Sequence, residues 1–285
     1  EDTLWGKAGH EVSYNEYVFG DNNYLFRDID LRGGLGEKTL KLVKSPNVIG
    51  VIGDDFEVLF SILHGGMISY KYGGQQMLEL IPKPNFWRAP TDNDLGNLMP
   101  FRYAQWKISS MYQSNKSLEK DTINFEMPEV IKNEDNITIK YTYILPTIPQ
   151  TKCYLSYTVE KNGFVKVSLD YLDVEKIGDM PEYGLMFTLD ADYENIKWYG
   201  YGAEENYIDR KHGAKLGVYE NKVINNMSKY LRPQECGNKE GVRYALVTDD
   251  KNRGLIFVAD EKEGFSFSAL PYSPSQLEEI GYRSE

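Results

Sequence analysis

Between Thr151 and Leu172 the chain alternates apolar and polar residues with a period of two. Cys153, Leu155, Tyr157 and Val159 fall on one side, and Lys152, Tyr154, Ser156, Thr158 and Glu160 on the other. A helix would scatter these residues around its circumference, whereas an extended strand sorts them onto two faces. Asn162-Gly163 follows, a dipeptide that tolerates the positive φ angles of a two-residue hairpin turn. Val165, Val167, Leu169 and Tyr171 then alternate with Lys166, Ser168 and Asp170. The pattern predicts an antiparallel hairpin with one buried face.

The theme recurs. From Asn47 to Leu80, Phe56, Val58, Phe60 and Ile62 share a face, and Gly65-Gly66 and Gly73-Gly74 punctuate a three-strand meander. Ile137, Ile139, Tyr141 and Tyr143 form another face, and Tyr183–Leu189, Tyr244–Thr248, Gly254–Ala259 and Phe265–Leu270 complete the predicted strands. Helical signals are few. Asn97–Tyr112 could hold a short helix with Pro100 no later than its first turn. Ser273-Pro274-Ser275-Gln276 is a capping box with Pro at the first helical position, and Gly281 follows as a stop. Without alternating strands and long helices, the fold class is all-β, a sandwich or barrel. Toward the N-terminus, Val12, Tyr14 and Tyr17–Phe19 suggest one strand, and Asp28–Ser45 looks like a connector.

Composition narrows the function. The 285 residues carry 32 Lys and Arg against 43 Asp and Glu, a formal net charge of −11. That balance disfavours nucleic acid and anionic membrane surfaces as partners. No apolar run approaches the ~18 residues of a membrane-spanning helix, and Glu1–Trp5 is not a signal peptide. Only 3 His are present, which leaves little for a His-based metal cage or proton relay, and 2 Cys make no disulfide framework. The 22 Tyr and 12 Phe suit strands.

Three polar clusters could carry chemistry. In Asn85–Asn97, Arg88, Asp92, Asn93 and Asp94 could hydrogen-bond sugar hydroxyls, with Trp87 as a stacking platform. The plainer reading is a turn in which Asp and Asn cap backbone groups and Arg88 pairs with a carboxylate. The Asp-x-Asp-x-Gly spacing does not meet the calcium-loop pattern, so no metal is expected. In Trp198–Lys211, Glu204, Glu205 and Asp209 could supply the two carboxylates of a glycosidase; the plainer reading is a polar loop with a Glu–Arg pair. In Tyr230–Lys239, Cys236 lacks a nearby base and reads as a packing residue. His10, His64 and His212 are scattered, and the sequons at Asn115, Asn136 and Asn226 are expected by chance in so Asn-rich a chain.

In this order and spacing, the three clusters resemble the C-terminal small domain, domain five, of the large bacterial β-galactosidases of glycoside hydrolase family two. Phe86-Trp87-Arg88-Ala89-Pro90-Thr91-Asp92-Asn93-Asp94 matches the motif that opens that domain's loop. Trp198–Arg210 resembles the family's Gly-Arg-Gly-Pro-x-Glu-Asn-Tyr-x-Asp-Arg segment, with Tyr201 and Ala203 where Arg and Pro are usual. Arg232-Pro233-Gln234-Glu235-Cys236-Gly237-Asn238 resembles its Arg-Pro-Gln-Glu-x-Gly-Asn segment, and Phe265–Leu277 its Phe-x-Phe-x-Ala…Tyr-x-x-x-x-Leu region. Trp5–Val12 looks like the end of the preceding immunoglobulin-like domain.

The resemblance implies an antiparallel β-supersandwich related in shape to galactose mutarotases. It divides the chain into a domain tail at 1–19, a connector at 20–46, and a supersandwich at 47–285 truncated at its C-terminus. It implies a fragment of a retaining enzyme for terminal β-galactosides, soluble and bacterial, cytoplasmic or periplasmic. That enzyme's catalytic glutamates lie in a (β/α)8 barrel, so no catalytic residue is expected in this chain. The Mg or Na that such enzymes often use has no ligands located here. The implied partners are the enzyme's other domains, the galactoside and, in the parent enzyme, further copies. A loop matching Gly96 to Arg102, with Asn97, would border the active site. Glu205, Asn206, Asp209, Arg210, Arg232, Glu235 and Asn238 would be structural motif residues. Two other readings compete. One is a free-standing carbohydrate-binding module stacking sugars on Trp87, Tyr199, Tyr201 and Tyr207. The other is a mutarotase-like epimerase, for which the separated histidines are a poor fit.

Overall fold

The computed structural model describes residues 2–17, 39–119, 122–173, 177–260 and 263–280. Nineteen strands lie along these stretches: β1 (Lys41–Lys44), β2 (Val48–Ile52), β3 (Phe56–Ser61), β4 (Gly66–Tyr72), β5 (Gln75–Gln76), β6 (Leu80–Asn85), β7 (Lys116–Glu119), β8 (Thr122–Phe125), β9 (Glu129–Lys132), β10 (Asn136–Leu145), β11 (Thr151–Glu160), β12 (Val165–Tyr171), β13 (Gly184–Thr188), β14 (Asn195–Gly202), β15 (Lys215–Lys222), β16 (Lys239–Val242), β17 (Tyr244–Thr248), β18 (Gly254–Val258) and β19 (Phe265–Phe267). Helices are short: α1 (Asp92–Gly96), α2 (Met99–Arg102), α3 (Ala104–Met111) and α4 (Pro274–Glu279). The all-β, antiparallel expectation holds.

A five-stranded meander, β1-β2-β3-β4-β5, and a four-stranded sheet, β12-β11-β10-β9, contribute to one core. Ile49, Val51, Val58 and Phe60 from the first sheet share it with Ile137, Ile139, Tyr141, Leu155, Tyr157 and Val159 from the second. The period-two faces read from the sequence are the faces that are buried. Buried tyrosines do more than fill space. Tyr141 donates its hydroxyl to the Ser61 carbonyl (3.0 Å) and Tyr143 to the Gly65 carbonyl (3.3 Å), so each ring crosses the core and ends on backbone. A second core, Tyr193, Ile196, Trp198, Val242, Ala245 and Val247, lies under the sheet β15-β14-β17-β18.

Several local expectations change. The β11–β12 hairpin closes through three residues rather than two. Gly163 N–H donates to the Glu160 carbonyl (2.9 Å) and Glu160 N–H to the Phe164 carbonyl (2.8 Å). Only Gly163 takes positive φ, at 88°, and a Cβ there would sit 2.7 Å from Tyr72. Residues 11–17 form no strand, and Val18 and Phe19 of that expectation lie outside the described residues, as does most of the expected connector at 20–46. β1 lies where no alternation was visible, because a four-residue edge strand with burial on one residue leaves almost no periodic signal. The helix expected at Asn97–Tyr112 is three pieces beginning at Asp92. Leu98, at φ 61°, and Tyr103, at φ −120°, separate them. Pro100 sits in the first turn of α2, and α4 has the capping box expected at Ser273 and Gln276.

Candidate functional site

The three polar clusters converge on one junction of loops, and its geometry grows from the caps of the local elements. At the first cluster, Phe86 and Trp87 are driven into the core. Phe86 packs on Trp106 at 5.7 Å between ring centroids, and Trp87 is 1% exposed. Trp87 Nε1 donates to Glu278 of α4 (3.0 Å), and Glu278 also pairs with Lys107 of α3 (2.9 Å). The stacking role weighed for Trp87 is corrected here: its ring is enclosed and offers no face to a sugar.

Arg88 grips Asp94 with two parallel hydrogen bonds, Nε to Oδ2 (3.1 Å) and Nη2 to Oδ1 (2.9 Å). Asp94 closes the capping box of α1 with Thr91. Burial alone would raise the Asp94 carboxyl, but Arg88 and Thr91 outweigh it and hold it below the usual carboxylate range. Asp92 exchanges hydrogen bonds with Gln234: Asp92 N–H donates to Oε1 and Gln234 Nε2 to Oδ2, both 3.3 Å. Glu235 N–H donates to the Ala89 carbonyl (3.1 Å), so the first and third clusters are tied by backbone as well. Asn93, Gly96 and Asn97 are exposed, and Arg102 reaches back to Asn97 (3.2 Å).

The second and third clusters meet at Glu205. Its carboxylate accepts from Gly237 N–H (2.8 Å), Ser228 Oγ (2.5 Å), Tyr230 and Arg210 Nη2 (2.6 Å). Burial pushes this carboxyl upward, but the four donors win and keep it below the usual range. With its lone pairs spent on structural donors, Glu205 is an anchor rather than a proton carrier. Asn206, 1% exposed, donates Nδ2 to the Glu204 carbonyl (3.1 Å) and accepts from Glu240 N–H (2.9 Å). Gly237, at φ 77°, lies so close to the Asn226 carbonyl that a Cβ would approach to 2.6 Å. The Gly202–Ala203 peptide is cis. Asp209 is exposed and outside this network.

Between these anchors lie two carboxyls that lack such compensation. Burial pushes Glu235 up to about 8, with Glu182 adding to the rise and Arg88 opposing it. Burial likewise pushes Glu182 up to about 7 against Asn85 and Arg88. Glu182, Ser228 and Glu278 were not singled out from sequence. Each is an ordinary polar residue outside the motif cores, brought in by chain reversals that no local pattern encodes.

The aromatic candidates part ways. The Tyr207 ring lies under Arg210, 4.7 Å from the guanidinium carbon. Tyr199 and Tyr201 flank Arg243 at 5.9 and 6.0 Å on the β14 sheet. Beside the junction, Pro90, Leu95, Leu98, Phe101, Arg232 and Pro233 line a cavity of about 220 Å³ that Glu278 also borders. Among the described residues, no three His, Cys, Asp or Glu side chains converge to hold a metal ion, and no helix is long and apolar enough to cross a membrane.

Fold and junction define the class: an all-β domain whose sequence motifs are spent on knitting loops together. Residues 52–285 match the family described as Beta galactosidase small chain. The chain belongs to this β-galactosidase small-chain family. It is 34% identical to a β-galactosidase of Priestia megaterium, over 98% of this chain and 25% of that one. It is also 34% identical to a β-galactosidase of Halalkalibacterium halodurans, over 100% of this chain and 27% of that one. It is 30% identical to a β-galactosidase small subunit of Latilactobacillus sakei, over 87% of this chain and 83% of that one. The chain thus spans about a quarter of the length of the large relatives it matches.

Proposed function

We propose that the chain is the accessory part of a β-galactosidase of glycoside hydrolase family two. It would be a supersandwich related in shape to galactose mutarotases, standing fifth in the parent's domain order. The parent enzyme would hydrolyse terminal β-galactosides with retention, using two carboxylates carried outside this chain in its barrel. This chain's work is to shape the mouth of the galactoside pocket through the loop at 96–102 and to pack against the parent's other domains. The observation that carries the reading is the small-subunit relative from Latilactobacillus sakei, matched over 83% of its length: a piece of this kind occurs as its own polypeptide. The use of Glu205 and Asp94 as anchors supports it, because neither is free for acid/base work. The Mg or Na that such enzymes often use is assigned no ligand in this chain, and no step is routed through it.

The test is complementation. The chain alone should not hydrolyse o-nitrophenyl-β-galactoside, and mixing it with a β-galactosidase polypeptide lacking the matching segment should restore turnover. Hydrolysis by the chain alone would overturn the accessory role. The binding-module reading loses its main platform with the burial of Trp87, and calorimetry with galactose should show no binding at millimolar concentration.

A further inference from the structure

Among the described residues, β15 is the outer strand of the sheet β15-β14-β17-β18, paired on one side only. Such an edge leaves alternate N–H and C=O groups open to another strand. In this molecule the beginning of that edge is met by the segment Glu11–Glu16, which lies some 200 residues earlier in the chain. Tyr14 donates its hydroxyl to the Ala214 carbonyl (2.6 Å) and approaches the His212 carbonyl (3.1 Å). The Glu16 carboxylate accepts from Leu216 N–H (2.9 Å). Lys215 Nζ bonds both Glu11 oxygens (2.8 and 3.1 Å) and sits 4.6 Å from the centre of the Tyr14 ring. The contacts at Tyr14 and Glu16 fall on Ala214, just before β15, and on Leu216 within it, two apart on each side. Side chains thus perform what a paired strand's backbone would do.

The geometry points to Glu11–Glu16 as a guard docked on the start of the outer edge of β15, closing that end to strand addition by a second copy of this chain. This does not rest on the galactosidase reading. The guard is held mainly by polar contacts with half-exposed partners, Lys215 at 51% and Glu11 at 57% side-chain exposure, so it is a reversible cover.

Amide hydrogen exchange on the full chain tests the docking. Glu16→Ala should speed exchange at Leu216 about tenfold, since a hydrogen bond to a charged acceptor is lost. Glu16→Gln, which keeps an acceptor, should restore most of the protection, and Ala245 in the sheet interior should not change. Equal exchange at Leu216 in Glu16→Ala and the unsubstituted chain overturns the docking. Sedimentation velocity tests the guarding. Tyr14→Ala/Glu16→Ala should sediment as a larger species than the unsubstituted chain at the same concentration, and identical sedimentation overturns that role.

Discussion

Asn206 and Asn238 hold each other by two hydrogen bonds of equal length. Asn206 N–H donates to the Asn238 carbonyl, and Asn238 Nδ2 donates to the Asn206 carbonyl, both at 2.9 Å. The pair joins the loop after β14 to the start of β16, so two of the three motifs are fastened here as well as at Glu205. Asn206→Ala would leave Glu240 N–H and the Glu204 carbonyl without their side-chain partner at a partly buried site. The expected cost is about 3 kcal/mol, the penalty for unmet buried polar groups. Urea denaturation should show it as a lower midpoint with an unchanged slope. A loss under about 1 kcal/mol would mean the junction relaxes around the missing amide.

Glu205 offers a sharper test because charge, not shape, is what changes in Glu205→Gln. The amide NH2 would face one of the donors now supplied by Ser228, Tyr230, Gly237 and Arg210. A loss of about 2 kcal/mol at pH 7 is expected. The carboxyl is held below its ordinary value, so its contribution is present above that range and disappears as pH falls through it. The gap in denaturation midpoint between the variant and the unsubstituted chain should therefore narrow from pH 7 to pH 3.5. A constant gap at both pH values would contradict the ionic role.

Much of the fold was legible because burial on one face of a strand writes itself into the sequence. Val58, Phe60, Ile137, Ile139, Leu155 and Val159 occupy one core at the spacing that identified their strands. Among the strands that escaped notice, β14 and β15 have an alternation broken by Gly200, Gly202 and Gly217 or masked by charges on both faces, while β1, β7, β8, β9 and β16 are four residues each, too short to show a period. At the junction, the plainer reading of Arg88 with a carboxylate and of Glu205 with Arg210 was accessible from charge and spacing. What spacing could not reveal was direction. Trp87 stands in a polar loop yet turns inward, joining the buried cluster that also holds Phe86 and Trp106, with its Nε1 satisfied by Glu278. Glu182 joins Glu235 only through the return of the chain after β12.

Those two carboxyls predict a second pH dependence, of opposite sign. Burial pushes Glu235 up to about 8 and Glu182 up to about 7. A carboxyl raised on folding favours the folded state while protonated. That stability is fully present below the ordinary value of 4.5 and is lost as pH rises toward 7–8. The chain should therefore unfold at lower urea at pH 9 than at pH 6. Glu235→Gln, which keeps the shape and cannot ionise, should flatten that decline. An equal decline in the variant would assign the effect elsewhere.

The segment from Leu98 to Arg102, which carries α2, offers a test that separates stability from function. Leu98 is 58% exposed and Phe101 83% exposed, so neither holds the isolated domain together. Phe101→Ala should change the urea midpoint by no more than about 0.5 kcal/mol, the usual range for an exposed site. If this loop packs at the mouth of the parent enzyme's pocket, the same truncation removes a large apolar anchor from an interface. Complemented β-galactosidase activity should then fall about tenfold, the lower end of what such an anchor supplies. Asn97→Ala, which only frees Arg102 from its 3.2 Å contact, should cost much less. Full activity in Phe101→Ala would remove the loop from the pocket and leave the junction of Arg88, Glu205 and Asn238 as the chain's principal contribution. A loss of stability in parallel with activity would instead make Phe101 a packing residue of the neighbouring cavity, where Leu95 and Pro233 already line its walls.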